Sequence, residues 1–215
     1  VAMLTAAPGI VNGIAPLYSA LQSESPVLLL SGDSPLCEDG WGSFQELDQA
    51  AMSGPLTKLS ARITDAADLS PAIDRALDLA LAPRPGPVHL ALPFDLLSHE
   101  SGIATLPARP DVAAPPPPPA AELQALAELL RSAQRPVVLA GPAQGRGALR
   151  TQWQRWAETL ALPVVTMGSP RGLRDPSIGA VAGCIGEADV VLLAGKPLDY
   201  TLRFGQAPAL GAQAR

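Results

Sequence analysis

Short apolar runs alternate along the chain with stretches of helical periodicity. The runs at 1–5, 26–30, 57–63 and 88–92 predict strands. Between them, Asn12 is positioned to cap a helix over 12–22, Ser43 a short helix to about Met52, and Asp68 or Ser70 an amphipathic helix up to Leu81. Continuous apolar strands separated by helices are typical of a parallel sheet covered on both faces. The first part is therefore predicted to be a doubly wound α/β domain.

Residues 98–120 break this pattern. Prolines fill positions 115–119 without interruption, which favours a stiff polyproline II segment over a packed element. We interpret 101–120 as a proline-rich linker that separates a domain over 1–100 from a second domain over 121–215.

The second domain repeats the α/β pattern. Helices are predicted over 122–132 and 148–160, and strands over 136–140, 162–166 and 189–194. The glycine-rich turn at 141–147 lies between a strand and a helix, which is the context of phosphate binding. Its spacing matches no nucleotide fingerprint, so an ordinary strand-to-helix turn is the other interpretation.

Charge and composition exclude several classes of protein. The net charge is −5 and the basic residues are scattered, which argues against a nucleic-acid surface. The apolar runs are too short to span a bilayer. The two cysteines, Cys37 and Cys184, form no motif, and a reducing cytoplasm is the default compartment. The chain begins and ends within apolar or uncapped sequence, so we expect an internal fragment of a longer protein.

Two segments of the first domain could contact a ligand. The turn with Pro8, Gly9 and Asn12 follows a strand, where open α/β sheets bind ligands, although Asn12 could be only a helix cap. Phe44 could stack on a flat ligand and Gln45 could hydrogen-bond it. The alternative for that segment is a capping box between Ser43 and Glu46.

Other polar residues have simpler interpretations. Arg84 could reach an anion or could be a solvated turn residue. His89 and His99 lack metal-ligand spacing and are interpreted as structural. Asp33, Glu38 and Asp39 are interpreted as a solvated acidic loop. No metal site is predicted within the chain.

The order of the motifs is more informative than any one of them. A-P-G-I-V-N, P-V-L-L-L-S-G, S-F-Q-E, P-L-T-K and R-P-G-P-V-H-L-A-L-P-F-D follow one another over residues 7–95. This series resembles the pyrimidine-binding domain of thiamine diphosphate enzymes of the acetolactate synthase-like family. R-P-V-V-L-A-G, L-P-V-V-T and A-D-V-V-L-L-A-G-K-P-L-D-Y resemble the central, Rossmann-like domain of the same family.

The resemblance implies roles for six residues. Pro8, Gly9 and Asn12 would pack near the cofactor's pyrimidine ring, and Phe44 and Gln45 would line the active site. Arg84 corresponds to an arginine that contacts flavin in the flavin-containing members.

Departures from the family pattern modify these expectations. Ala7 and Val11 replace the usual Gly and Thr, and Phe94 replaces the Lys of acetolactate synthases, which leaves room for another acyl donor. The segment between Thr166 and Asp189 lacks the G-M-x-G-x-H stretch, so flavin is not expected.

By resemblance, the parent protein decarboxylates or carboligates 2-oxo acids or related acyl donors with thiamine diphosphate and Mg²⁺. A homodimer or homotetramer is expected for it. The family's activating glutamate would precede Val1 and its magnesium motif would follow Arg215, so the fragment alone is expected to be inactive. The alternative is a non-catalytic nucleotide-binding or structural paralogue of the same fold.

Overall fold

The computed structural model describes residues 1–98, 116–212 and 214. The chain divides into two compact units, Val1–Ala113 and Ala114–Arg215. The predicted linker over 101–120 lies outside the described residues except for its last five, and so does His99, so those interpretations remain predictions.

Unit 1 is built on a four-stranded parallel sheet with the order β1-β2-β4-β3. Its strands are β1 (Ala2–Leu4), β2 (Leu28–Asp33), β3 (Ser60–Arg62) and β4 (Val88–Pro93). Its α-helices are α1 (Pro8–Gln22), α2 (Gln49–Ser53), α3 (Leu69–Leu81) and α4 (Phe94–Leu97).

Alternate residues of the central strands supply two apolar layers in unit 1. Leu28, Leu90 and Leu92 pack with α3 on one face, and Leu29 packs with Ile10 and Leu17 of α1 on the other. The doubly wound α/β prediction is confirmed, because helices cover both faces of a parallel sheet.

Unit 2 contains a three-stranded parallel sheet with the order β6-β5-β7. Its strands are β5 (Pro136–Ala140), β6 (Val164–Thr166) and β7 (Val190–Ala194). Its α-helices are α5 (Ala120–Ser132), α6 (Gly147–Leu160) and α7 (Val181–Gly186). Buried Val137, Leu139 and Ile185 are at the centre of its core.

Two predicted helix starts are wrong. Helix α1 begins at Pro8, so Asn12 is an exposed residue inside the helix and not its cap, and Pro16 lies beyond the first turn. No helix begins at Ser43. Helix α2 begins at Gln49. Its N-cap is Asp48, whose side chain accepts a hydrogen bond from the Ala51 N–H.

Candidate functional site

A cleft of about 350 Å³ opens at the carboxyl ends of β1, β2 and β4. Asp33 ends β2, Phe94 follows β4, and Phe44 and Gln45 come from the loop after β2. This edge of a parallel sheet is where open α/β folds bind ligands. The side chains that could contact a ligand therefore meet where the topology places a site.

The surface of the cleft is mainly apolar, although several polar side chains, among them Glu38 and Gln45, also line it. Phe44 and Phe94 are 85% and 65% exposed, and large apolar side chains left open to solvent mark binding surfaces. The lining consists of Thr5, Ala6, Gly32, Asp33, Ser34, Pro35, Glu38, Ser43, Phe44, Gln45, Leu92, Phe94 and Leu97.

Glu46 shapes the turn that presents Phe44 and Gln45. Its carboxylate accepts hydrogen bonds from the N–H groups of Gly40 (2.7 Å), Gly42 (2.9 Å) and Ser43 (3.0 Å). The bonds from Gly40 and Ser43 are the main reason why the pKa of Glu46 lies below its ordinary value. Half of the predicted capping box is thus present, but it closes a turn and not a helix, and Gln45 has a φ of 64°.

Asp33 is not the solvated residue that the sequence suggested. The residue is 6% exposed. Its carboxylate accepts hydrogen bonds from the Nε of Arg62 at 2.6 Å and from the Nε2 of Gln49 at 2.7 Å. Arg62 also binds Asp39, whose pKa is lowered chiefly by that hydrogen bond. Arg62 is not among the residues predicted from the sequence. The available signal was a charged residue inside a short strand, but its partners lie 23 to 29 residues away along the chain.

His89 is fully buried in β4 and does not line the cleft. Its contacts are those of a structural histidine. Its Nε2 is 2.8 Å from the Ser31 hydroxyl, and its Nδ1 is 2.7 Å from that of Ser53 and 3.2 Å from that of Ser60. Burial lowers its pKa to about 4, although the charge of Asp33 opposes that shift. The imidazole is therefore neutral at pH 7.

The structure separates the other predicted residues. Pro8, Gly9 and Asn12 begin α1 at the same sheet edge as the cleft, but Gly9 and Asn12 line a second, apolar groove beside β1. A Cβ on Gly9 would lie 2.8 Å from the Cγ2 of Thr5, so glycine is needed for this close approach.

Arg84 lies at the opposite edge of the sheet, in the loop that leads into β4. Its Nε is 3.4 Å from Glu24, a buried carboxylate that precedes β2. Phe44 and Gln45 are thus brought together with the cleft, whereas Arg84 is not.

The glycines of the 141–147 turn in unit 2 have a packing explanation. A Cβ at Gly141 would overlap the carbonyl oxygen of Gly195, and one at Gly145 would overlap the Thr166 side chain. Gln144 fills the space beside Gly195 and accepts a hydrogen bond from Trp153 Nε1 at 3.0 Å. Gly141 and Gly145 are therefore explained by the close approach of neighbouring segments.

Two family models match separate parts of the chain. Residues 1–52 match the thiamine pyrophosphate enzyme N-terminal TPP binding domain, and residues 123–214 match the thiamine pyrophosphate enzyme central domain. The chain belongs to the thiamine pyrophosphate enzymes. The resemblance inferred from the ordered motifs is confirmed, and the cleft lies in the unit that contains the match to the TPP binding domain.

Curated relatives show how far the likeness extends. The chain is 34% identical to a probable acetolactate synthase of Mycobacterium bovis, over 95% of this chain and 39% of the relative. It is 32% identical to a 2-hydroxyacyl-CoA lyase of Oryza sativa subsp. japonica, over 94% of this chain and 38% of the relative. The chain therefore spans about two fifths of the length of these relatives.

A solved structure supports the same fold. The thiamine diphosphate-dependent 4-hydroxybenzoylformate decarboxylase of Rhodococcus jostii RHA1 matches with a TM-score of 0.74 and 25% identity, over 99% of this chain and 43% of that one.

Within the described residues, no helix is both long and apolar enough to cross a membrane.

Proposed function

We propose that the protein containing this chain is a thiamine diphosphate-dependent enzyme that decarboxylates or carboligates 2-oxo acids or related acyl donors. The observation that carries the proposal is the cleft in unit 1, which lies at the ligand-binding edge of the sheet with Phe44 and Gln45 at its mouth. Relatives that act as a synthase, a lyase and a decarboxylase support this reaction class.

The cleft fits a flat, partly polar ring such as an aminopyrimidine. Leu92, Phe94 and Phe44 offer apolar surface, and Glu38 offers a carboxylate that can accept a hydrogen bond from an amino group. When bound, thiamine diphosphate supplies an electron sink for the bond that breaks as carbon dioxide leaves. We assign Pro8, Gly9 and Asn12 to the neighbourhood of the pyrimidine on the resemblance alone.

The side chains of this chain would orient the substrate and exclude water from it. Phe44 presents an aromatic face at the mouth of the cleft, and Gln45 presents an amide that can donate to or accept from a substrate oxygen. An apolar cover strengthens every electrostatic contact inside a site. Phe94 makes the wall apolar where a lysine would make it cationic, which favours acyl donors other than those of acetolactate synthases.

The remaining features of the protein belong to the same proposal. We propose on the resemblance alone that magnesium is held outside this chain. We expect no flavin, a homodimer or homotetramer, and a cytoplasmic location. Arg84 is engaged by Glu24 and would need to leave that carboxylate to bind another anion.

The nucleotide-binding alternative has weaker support. The glycine-rich turn of unit 2 packs against Gly195 and Thr166, so its small residues are explained without a ligand.

A calorimetric titration of thiamine diphosphate with Mg²⁺ into the full-length protein tests the proposal. We expect a dissociation constant in the micromolar range or below, followed by turnover in a screen of 2-oxo acids. A folded full-length protein that binds no thiamine diphosphate would overturn the assignment.

A further inference from the structure

The loop over 34–48 carries Phe44 and Gln45 to the cleft with little secondary structure of its own. Leu36–Glu38 form a short 3-10 helix, and the rest consists of turns and irregular backbone. A loop of this kind has no regular backbone ladder to fix its position, so side-chain contacts must do so.

Two side chains hold this loop from outside: Asp95 accepts hydrogen bonds from the N–H groups of Leu36 and Cys37, and Arg62 binds further along. From the end of β3, its Nε binds Asp33 at 2.6 Å and its Nη2 binds the carbonyl of Ser34 at 3.1 Å. Its Nη1 and Nη2 bind the two carboxylate oxygens of Asp39 at 2.7 and 2.9 Å. One planar guanidinium thus ties the base of the loop to its midpoint.

The contacts continue from Asp39 to the cleft. The next residue, Gly40, donates its N–H to Glu46, and Glu46 closes the turn that contains Phe44 and Gln45. Ser43 is held in addition by its hydroxyl, which donates to Glu38. The position of the cleft-lining pair therefore depends on where Asp39 is held.

We propose that Arg62 is a positioning residue, which sets the geometry of Phe44 and Gln45 by clamping Asp39 to the sheet. The inference rests on the proposed function for its catalytic consequence, but the clamp itself can be tested without any reaction. Arg62 does not line the cleft and acts through the residues that it binds.

Asp39→Ala is the informative variant, because it releases the loop and leaves the buried Asp33 still paired with Arg62. The Asp39 side chain is 46% exposed, so no buried charge is left without its partner. Asp39→Glu keeps the carboxylate and is the rescue variant. Asp68→Asn, an exposed carboxylate at the start of α3, is the matched control for loss of one negative charge.

Trp41 reports on the loop directly, since it lies between Asp39 and Phe44 and is 81% exposed. In full-length protein labelled with 5-fluorotryptophan, we expect its ¹⁹F resonance, assigned with Trp41→Phe, to shift or change width in Asp39→Ala. The resonance should stay unchanged in Asp68→Asn and return towards the wild-type position in Asp39→Glu. An unchanged Trp41 resonance in Asp39→Ala would overturn the clamp, whether or not the protein turns over a 2-oxo acid.

Kinetics then test the catalytic consequence. We expect kcat/KM for the best 2-oxo acid of the screen to fall at least tenfold in Asp39→Ala, while the affinity for thiamine diphosphate changes less than twofold, and Asp39→Glu to recover part of the loss. Equal losses in cofactor affinity and turnover would indicate general damage and refute a positioning role. If the wild-type protein turns over no 2-oxo acid, the proposed function fails, and the Trp41 result still decides the clamp.

Discussion

Individual residues show how strongly burial can determine ionisation in this protein. His89 has no exposed surface, and three serine hydroxyls lie within hydrogen-bonding distance of its two ring nitrogens. Its pKa is lowered from 6.5 to about 4 mainly by desolvation, so the folded state binds fewer protons than the unfolded state between these values. Stability from this group is therefore present above pH 6.5 and is lost as the pH falls towards 4.

We predict that His89→Gln flattens this pH dependence. One pKa unit corresponds to about 1.4 kcal/mol. Between pH 6.5 and 4, the free energy of unfolding of the wild-type protein should therefore fall by about 3 kcal/mol because of His89. The measurement is hydrogen exchange of the β4 amides in the full-length protein at pH 4 to 7, corrected for intrinsic rates. Because carboxylates titrate in both proteins, the difference between them isolates the histidine. Parallel curves would show that His89 does not titrate as described.

Arg62 and Asp33 mark the limit of residue-level prediction. The sequence suggests a solvated acidic loop because Asp33, Glu38 and Asp39 lie close together among glycines. Only the fold brings β3 beside the loop, and with it a guanidinium that pairs with two of those carboxylates. Ion pairs between distant segments leave no periodic trace in a sequence.

Among the elements, α1 contains an unusual proline. Pro16 lies in the interior of the helix, where it cannot donate an N–H to the carbonyl of Asn12. Pro8, by contrast, is at the first helical position, where the missing N–H has no helical partner and the fixed φ is favourable.

We predict that Pro16→Ala stabilises the protein by about 1–2 kcal/mol. An interior proline costs a helix about 3 kcal/mol, and the more flexible unfolded chain of the alanine variant offsets up to about 1 kcal/mol of the gain. Thermal unfolding of the full-length protein should show the increase in Tm, and Pro8→Ala, the control, should show none. A lower Tm for Pro16→Ala would mean that the proline is favourable where it is.

Strands were easier to predict than helix starts. The apolar runs that became β2, β4, β5 and β7 carry their own signal, since buried parallel strands are continuously hydrophobic. The S-x-x-E spacing at Ser43 indicated a helix, but Glu46 instead accepts hydrogen bonds from the N–H groups of Gly40 and Gly42. The N-cap of the helix is Asp48. Two competing caps five residues apart cannot be ranked from local sequence.

At the scale of the whole molecule, the order of the motifs predicted the family, and the carboxyl edge of the sheet indicated where to look for a candidate site. Phe44 and Gln45 line the cleft, and their role in an active site stays a prediction. Arg84 precedes the strand predicted at 88–92, and the structure places it at the sheet edge opposite the cleft.

We predict that the 215-residue chain, purified without the rest of the protein, turns over no 2-oxo acid in the presence of thiamine diphosphate and Mg²⁺. The chain covers only 39% of the length of its acetolactate synthase relative, and magnesium is proposed to be held outside it. The assay is carbon dioxide release, with the full-length protein as the positive control. Measurable turnover by the isolated chain would show that the site is complete within it.

The serine-bound imidazole of β4 has one more consequence, which concerns folding fidelity. Neighbouring side chains of a strand point to opposite faces, so a slip of β4 by one residue would turn His89 towards Leu28 and Ala76 and set Leu90 among the hydroxyls. Such a misaligned sheet would bury the imidazole without its hydrogen bonds. Burying a polar group without a partner is unfavourable, and apolar contacts do not satisfy its ring nitrogens. The polar layer thus selects a single alignment of strands that are otherwise interchangeable in their hydrophobicity.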